Sequence, residues 1–220
     1  MTKLIPDSSG LRITEEVRRM KRIFKKFIRE ETGSVNVLIL TLLFLVLSIM
    51  IMVRSVDFFT QVIETNRVKR DLALATHAAA MDVDKVKLAD GILALVPSQA
   101  IDSFFTYLQK NMRLNAYNIP QSDSYIEEAP IIHKILYVDY EARTIQALYG
   151  STSNCSLSGK TISCTVVANA GTEKEATRTV NELLVGPSVV SVIEVSHNRF
   201  SMLDPEPIVV ADTQQVLYGY

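Results

Sequence analysis

Residues 35–53 read VNVLILTLLFLVLSIMIMV. Only Asn36, Thr41 and Ser48 interrupt this apolar run, and residues 32–53 hold no charge at all. An apolar stretch of about 18 or more residues can cross a bilayer as a helix, because the helix satisfies its own backbone while its side chains meet lipid. The run predicts a transmembrane helix over residues 32–54 and argues against a purely soluble cytosolic enzyme. A cleaved signal peptide has an apolar core of only about 7–15 residues and a small-residue cleavage site. This core is longer, starts more than thirty residues in, and leaves through Met52-Val53-Arg54-Ser55-Val56-Asp57 without an Ala-x-Ala exit. A retained signal anchor is the better reading. No later segment has eighteen apolar residues in a row, so a single span is expected.

Charge divides around the span. Residues 1–31 carry nine Lys/Arg and five acids, and residues 54–220 carry fourteen basic and nineteen acidic residues. Lys and Arg near a span favour the cytoplasmic side. Arg54, Arg67, Lys69 and Arg70 oppose this, but over a longer segment. The N-terminus is therefore expected in the cytoplasm, and the C-terminal part outside a cell membrane crossed once. Thr14 can cap a helix whose apolar stripe is Val17, Met20, Ile23, Phe24, Phe27 and Ile28. Its other face holds Arg18, Arg19, Arg22, Lys25, Lys26 and Arg29, which suits an anionic membrane surface. Docking on a cytoplasmic protein is the alternative.

Helical signals continue past the span. Residues 55–82 contain no Gly or Pro, and Phe58, Val62, Ile63, Val68, Leu72, Ala75, Ala79 and Ala80 keep helical spacing. One helix of about 70 Å is expected from about residue 34 to about 82, half in lipid and half outside. Its outer half is Ala-rich, so Ala73, Ala75, Ala78 and Ala79 would let a neighbouring helix approach closely. After a break near Asp90-Gly91 and Pro97, Ser98 can cap a second helix to about Met112, striped by Ile101, Phe104, Phe105, Leu108 and Met112. Residues 114–130 read as a loop.

Beyond Pro130 the period changes to two. Residues 131–140, 144–149, 161–167, 188–195 and 208–216 are β-rich and separated by Gly150, Gly159, Gly171 and Gly186-Pro187. Residues 173–184 lean to strand over helix. The expected fold is α+β: a long membrane-spanning helix continuing into an exported domain with a second helix and a mostly antiparallel sheet of four to six strands. Residues 1–31 form a cytoplasmic basic segment, 32–54 the span, 55–113 an extracytoplasmic helical stalk and 114–220 a β-rich domain. Cys155 and Cys164 flank a turn at Ser158-Gly159-Lys160. In an exported domain an even cysteine count favours a disulfide. Two small buried residues are the alternative.

Little in the chain suggests chemistry. His77, His133 and His197 have no partner at metal-ligand spacing. His77 reads as a helix residue beside a packing face and His133 as an exposed strand position. No phosphate-loop, nucleophile-elbow or zinc-protease motif occurs. Asp82 with Asp84 and Glu127 with Glu128 read as a solvated face or a helix end. No enzyme, metal, cofactor or nucleic-acid partner is expected.

Arg29-Glu30-Glu31-Thr32-Gly33-Ser34, the apolar run, and then TNRVKRDLALATHAAA at residues 65–80 resemble the opening of TadE/TadG-type pilin-like proteins. The resemblance covers residues 29 to about 82; the tail is similar only in layout. It implies a structural component of a tight-adherence pilus machine, with other pilin-like subunits and copies of itself as partners besides the bilayer. It also implies a prepilin cleavage junction between Gly33 and Ser34. The sequence departs from that pattern at Leu38, where such precursors carry Glu five residues after the cut.

Two readings follow. One is a pilin-like subunit or minor component of a bacterial surface pilus or secretion apparatus. The other is a single-span protein displaying an extracytoplasmic ligand-binding or sensing module. A direct junction from span to Ala-rich helix, without a flexible linker, favours the first.

Overall fold

A computed structural model describes residues 33–197 and 206–217. The chain divides into two units, Met1–Ser55 and Val56–Tyr220. The first helix, α1 (Gly33–Ala80), is 48 residues long and contributes to both. No Gly or Pro lies between Ser34 and Asp82 to break it. Its hydroxyl residues bond back to the preceding turn, as Thr41 Oγ1 donates to Val37 O (2.8 Å) and Thr60 Oγ1 to Val56 O (2.9 Å). Thr41 can therefore sit in an apolar stretch without an unsatisfied hydroxyl.

In the second unit α1 meets two shorter helices. α2 (Lys85–Ala89) was not expected from the sequence. Asp84 caps it, its Oδ1 accepting from Val86 N (3.0 Å) and Lys87 N (3.2 Å). Asp84 thus sits at a helix end, one of the two places the sequence allowed for it. α3 (Pro97–Met112) buries Ala100, Phe104, Leu108 and Met112, one residue per turn. Val96 occupies its N-cap position and Pro97 starts the helix, so Ser98 is not the cap. Proline is suited to the first helical position because the N–H it lacks would have no partner there.

The described strands are β1 (Ile131–Asp139), β2 (Thr144–Gly150), β3 (Cys155–Ser158), β4 (Thr161–Ala168), β5 (Ala176–Leu183), β6 (Ser188–His197) and β7 (Glu206–Gln215). They form two antiparallel sheets, β2-β1-β6-β7 and β3-β4-β5. The fold is α+β, and the expected single sheet of four to six strands becomes seven strands in two sheets. β3 carries little period-two signal because it is four residues long and half polar. Residues 176–183 are strand, the reading preferred from sequence. Gly150 closes β2 at φ +78°, where an added Cβ would meet His133 O at 2.4 Å, so only glycine fits.

β6 explains the layering. Nine of its ten residues are buried, so both faces are covered. Val189, Ile193 and Val195 face a core shared with Val68, Leu72, Ala75 and Ala79 of α1 and Phe104 and Leu108 of α3. Val190 faces Ile162, Cys164 and Leu184, and Val192 faces Val166. The unit is helices on one face of the four-stranded sheet and the three-stranded sheet on the other. This core takes residues from both sides of the expected border between a stalk ending at 113 and a β domain starting at 114. Of the α1 stripe, Val68, Leu72, Ala75, Ala79 and Ala80 are buried in the core shared with α3, β1, β6 and β7, whereas Phe58, Val62 and Ile63 are exposed.

Candidate anchoring and assembly surfaces

The first candidate surface is the apolar half of α1. Large hydrophobic side chains from Val37 to Met52 are exposed in an unbroken series. The most apolar 18-residue window has a mean hydropathy of 2.8 and no buried residue. The helix is long and apolar enough to cross a membrane. Soluble proteins rarely expose contiguous apolar surface beyond a few hundred Å², so this length of helix calls for lipid or protein around it. Gly33 and Ser34, the expected cleavage junction, are the first described residues of α1. Arg18, Arg19, Arg22, Lys25, Lys26 and Arg29 lie outside the described residues.

The alanines of the outer half divide. Ala75 and Ala79 are fully buried in the protein's own core, where their small side chains let α1 lie close to the sheet. They are not open to a neighbouring helix. Ala73 and Ala78 are half-buried and keep an outward edge. Beside Ala78 a cleft of about 370 Å³ opens between α1 and α3, lined by Leu74, His77, Met81, Asp82, Tyr107 and Asn111 among others. His77 stands exposed at this cleft, beside the packing face as expected.

Cys155 and Cys164 are direct cross-strand partners on β3 and β4, with Cα atoms 4.1 Å apart, and form a disulfide. Gly159, at φ +59°, turns the chain between the two strands. The bridge closes a short loop, and the chain-entropy model gives it about 2–3 kcal/mol of stabilisation. Replacing both cysteines by Ala should lower the unfolding free energy by that amount in a denaturant titration. Two free thiols in the mass of native protein would overturn the pairing.

Several functional-looking polar residues were invisible to sequence reasoning. Thr76 Oγ1 donates to Leu72 O (2.9 Å) and pairs with Ser191 Oγ (2.5 Å), joining α1 to β6 inside the core. A hydroxyl has one proton, so Ser191 is the donor in that pair. Tyr125 donates to Asp71 Oδ2 (2.9 Å), while Arg67 lies 5.8 Å from its ring. Burial and the Asp71 carboxylate push the Tyr125 phenol well above its ordinary value. This pair fastens the loop after α3 onto α1. Glu64 bonds to buried His197 Nδ1, and buried Glu194 holds His133 Nε2 (2.7 Å) and Asn169 N (2.9 Å). His133 is thus half-buried and paired, not an exposed strand residue.

Lys134 donates to Ser151 O (2.7 Å) and Ser153 O (2.6 Å), fixing the β2–β3 connection, and its burial lowers the ammonium below its ordinary value. Burial also raises the Glu182 and Asp212 carboxyls, against the nearby Lys69 charge. The only sequence signal for such groups was Ser191 and Glu194 within an otherwise apolar strand, SVVSVIEV. Among the described residues, no three His, Cys, Asp or Glu side chains gather as a metal site requires.

Comparison of the chain with protein-family models, with curated proteins and with solved structures gives no match.

Proposed function

We propose that this chain is a pilin-like structural subunit, or minor component, of a bacterial surface pilus or secretion apparatus. In this reading one N-terminal transmembrane helix anchors it, with the N-terminus in the cytoplasm and the Val56–Tyr220 unit outside. Its partners are the bilayer and other pilin-like subunits, copies of itself included. The observation that carries the reading is α1 itself: the apolar stretch passes into the folded unit as one helix, with no Gly or Pro between them. A tethered display module would more often place flexible residues at that junction. An apolar half-helix that is bare along its length can be held by lipid before assembly and by other helices within an assembly.

Inserting Gly-Gly-Ser after Ser55 breaks the helix at the boundary of the two units and disturbs neither core. Surface assembly, read by shearing cells and blotting the released fraction, should fall while membrane insertion is unchanged. An insertion without effect on assembly would overturn the reading. The cleft of Leu74, Met81, Asp82, Tyr107 and Asn111 favours a second reading, a displayed ligand-binding module, which such a silent insertion would put first.

A further inference from the structure

α1 ends at Ala80, and the cleft of about 370 Å³ lies where its last turns run beside α3. Pockets that hold small organic ligands span about 300–1,000 Å³, so this one has room for a small compound. Leu74 and Met81 line it from one side, and Ser103, Tyr107 and Asn111, four residues apart on α3, from the other. Two atoms of its lining residues are left over. Asp82 Oδ2 and Asn111 Nδ2 are buried and find no hydrogen-bond partner among the described residues. The backbone of Asp82 is held on both sides, its N–H donating to Ala79 O (3.4 Å) and its C=O accepting from Val96 N (2.9 Å). The residue is therefore fixed in place while one carboxylate oxygen stays unsatisfied. Folded chains rarely leave such groups unpaired, and an acceptor and a donor left over in the walls of one cleft point to a ligand that completes both.

The electrostatics of the cleft have one sign. No Lys or Arg lines it, and Asp82 is its one carboxylate. Asp82 follows the C-terminus of α1, where the last carbonyls already gather negative potential. Met81 N is shared between His77 O and Ala78 O, both at 3.2 Å, so these carbonyls are only partly engaged. A carboxylate is poorly placed at such an end, and a cation is favoured there. Tyr107, 47% exposed at the cleft, adds an aromatic face of the kind that attracts an ammonium.

We infer that this cleft binds an organic cation, with an ammonium that donates to Asp82, an oxygen beside it that accepts from Asn111, and an apolar body resting on Leu74, Met81 and Tyr107. A Lys or Arg side chain of another protein has donors and no acceptor, and would leave the Asn111 amide unpaired. α-Amino amides carry both groups, as does the amino terminus of a peptide. The site lies wholly within the Val56–Tyr220 unit, and it stands apart from how that unit is anchored or assembled.

The full chain in uncharged detergent micelles is titrated by calorimetry with L-leucine amide and with N-acetyl-L-leucine amide. At pH 6.5, below an α-amino pKa of about 8, the first carries an ammonium. The second keeps the side chain and the carbonyl and has no charge. L-Leucine amide should bind one site per chain, and the acetylated probe about tenfold more weakly or worse, because hydrogen bonds between charged groups are the strong ones. Asp82→Asn, nearly unchanged in shape, should weaken L-leucine amide by about tenfold or more, and Asn111→Ala by a smaller factor. Asp102→Asn, which removes an exposed carboxylate of α3 outside the cleft, should leave binding unchanged. Leu-Gly-Gly amide separates the two sources: affinity equal to that of L-leucine amide admits a peptide terminus, and tenfold weaker binding assigns the site to a free amine. No saturable binding of L-leucine amide, equal affinity for the charged and acetylated probes, or a loss as large in Asp102→Asn as in Asp82→Asn would overturn the inference. The comparison of the two probes uses the unaltered chain, so it decides even where Asp82→Asn fails to fold.

Discussion

A chain carrying Leu43→Arg and Leu47→Arg should appear in the soluble fraction after alkaline carbonate extraction, where the unaltered chain stays in the pellet. Both positions lie near the middle of the apolar run and are exposed on α1. On the insertion scale an arginine near a helix centre costs about 2.5–3.5 kcal/mol, so the pair costs about 5–7 kcal/mol. The sixteen apolar residues of the run gain roughly 5–10 kcal/mol at about 0.3–0.6 each. Two arginines offset most of that gain and also remove two of its contributors. Neither leucine touches the folded unit's core, so Val56–Tyr220 should fold as before. Retention of the double variant in the carbonate-washed pellet would mean that something other than lipid holds this helix.

Phe104→Ala should destabilise the whole second unit by about 3–5 kcal/mol. Phe104 is fully buried, in one core with residues of α1, β1, β6 and β7. Truncating it leaves a cavity that the closely packed sheet and helices can only partly fill. Whole domains are stable by about 5–15 kcal/mol, so the loss is a large share. Amide hydrogen exchange should accelerate at β6 as well as at α3, because both belong to one cooperative body. Faster exchange confined to α3, with β1 and β6 unchanged, would restore the division into a stalk and a separate β domain that the sequence suggested.

That division shows where the sequence ceased to be informative. The helix of residues 33–80 was legible because its apolar run and the lack of Gly and Pro are local properties. The α3 stripe and the period-two segments were legible for the same reason. The partition of strands between two sheets was not, because it depends on which face of β6 meets which partner. In β6 both alternating sets carry aliphatic residues, Val189, Ile193 and Val195 on one and Val190 and Val192 on the other, so the sequence has no inside or outside to read. The cysteine pair was readable from its turn. Glu64 with His197 and Asp71 with Tyr125 were not, being far apart in the chain and ordinary in composition. Ala75 and Ala79 illustrate the reverse failure: small residues at helical spacing permit a close approach without saying what approaches.

The position of β6 between β1 and β7 has a consequence for the order of events during synthesis. Thr76 waits 115 residues for Ser191, and Glu64 waits 133 residues for His197. β7, the last of the described strands, pairs with β6 along its length and adds Ile208 and Val210 to the core over α1. The helix is thus complete long before the sheet that covers it exists. Val68, Leu72 and Phe104 remain bare while the rest of the unit is made, and contacts so distant in sequence form slowly. A nascent chain of this design offers its future core to any chaperone, protease or like chain nearby, until the final hairpin seals it.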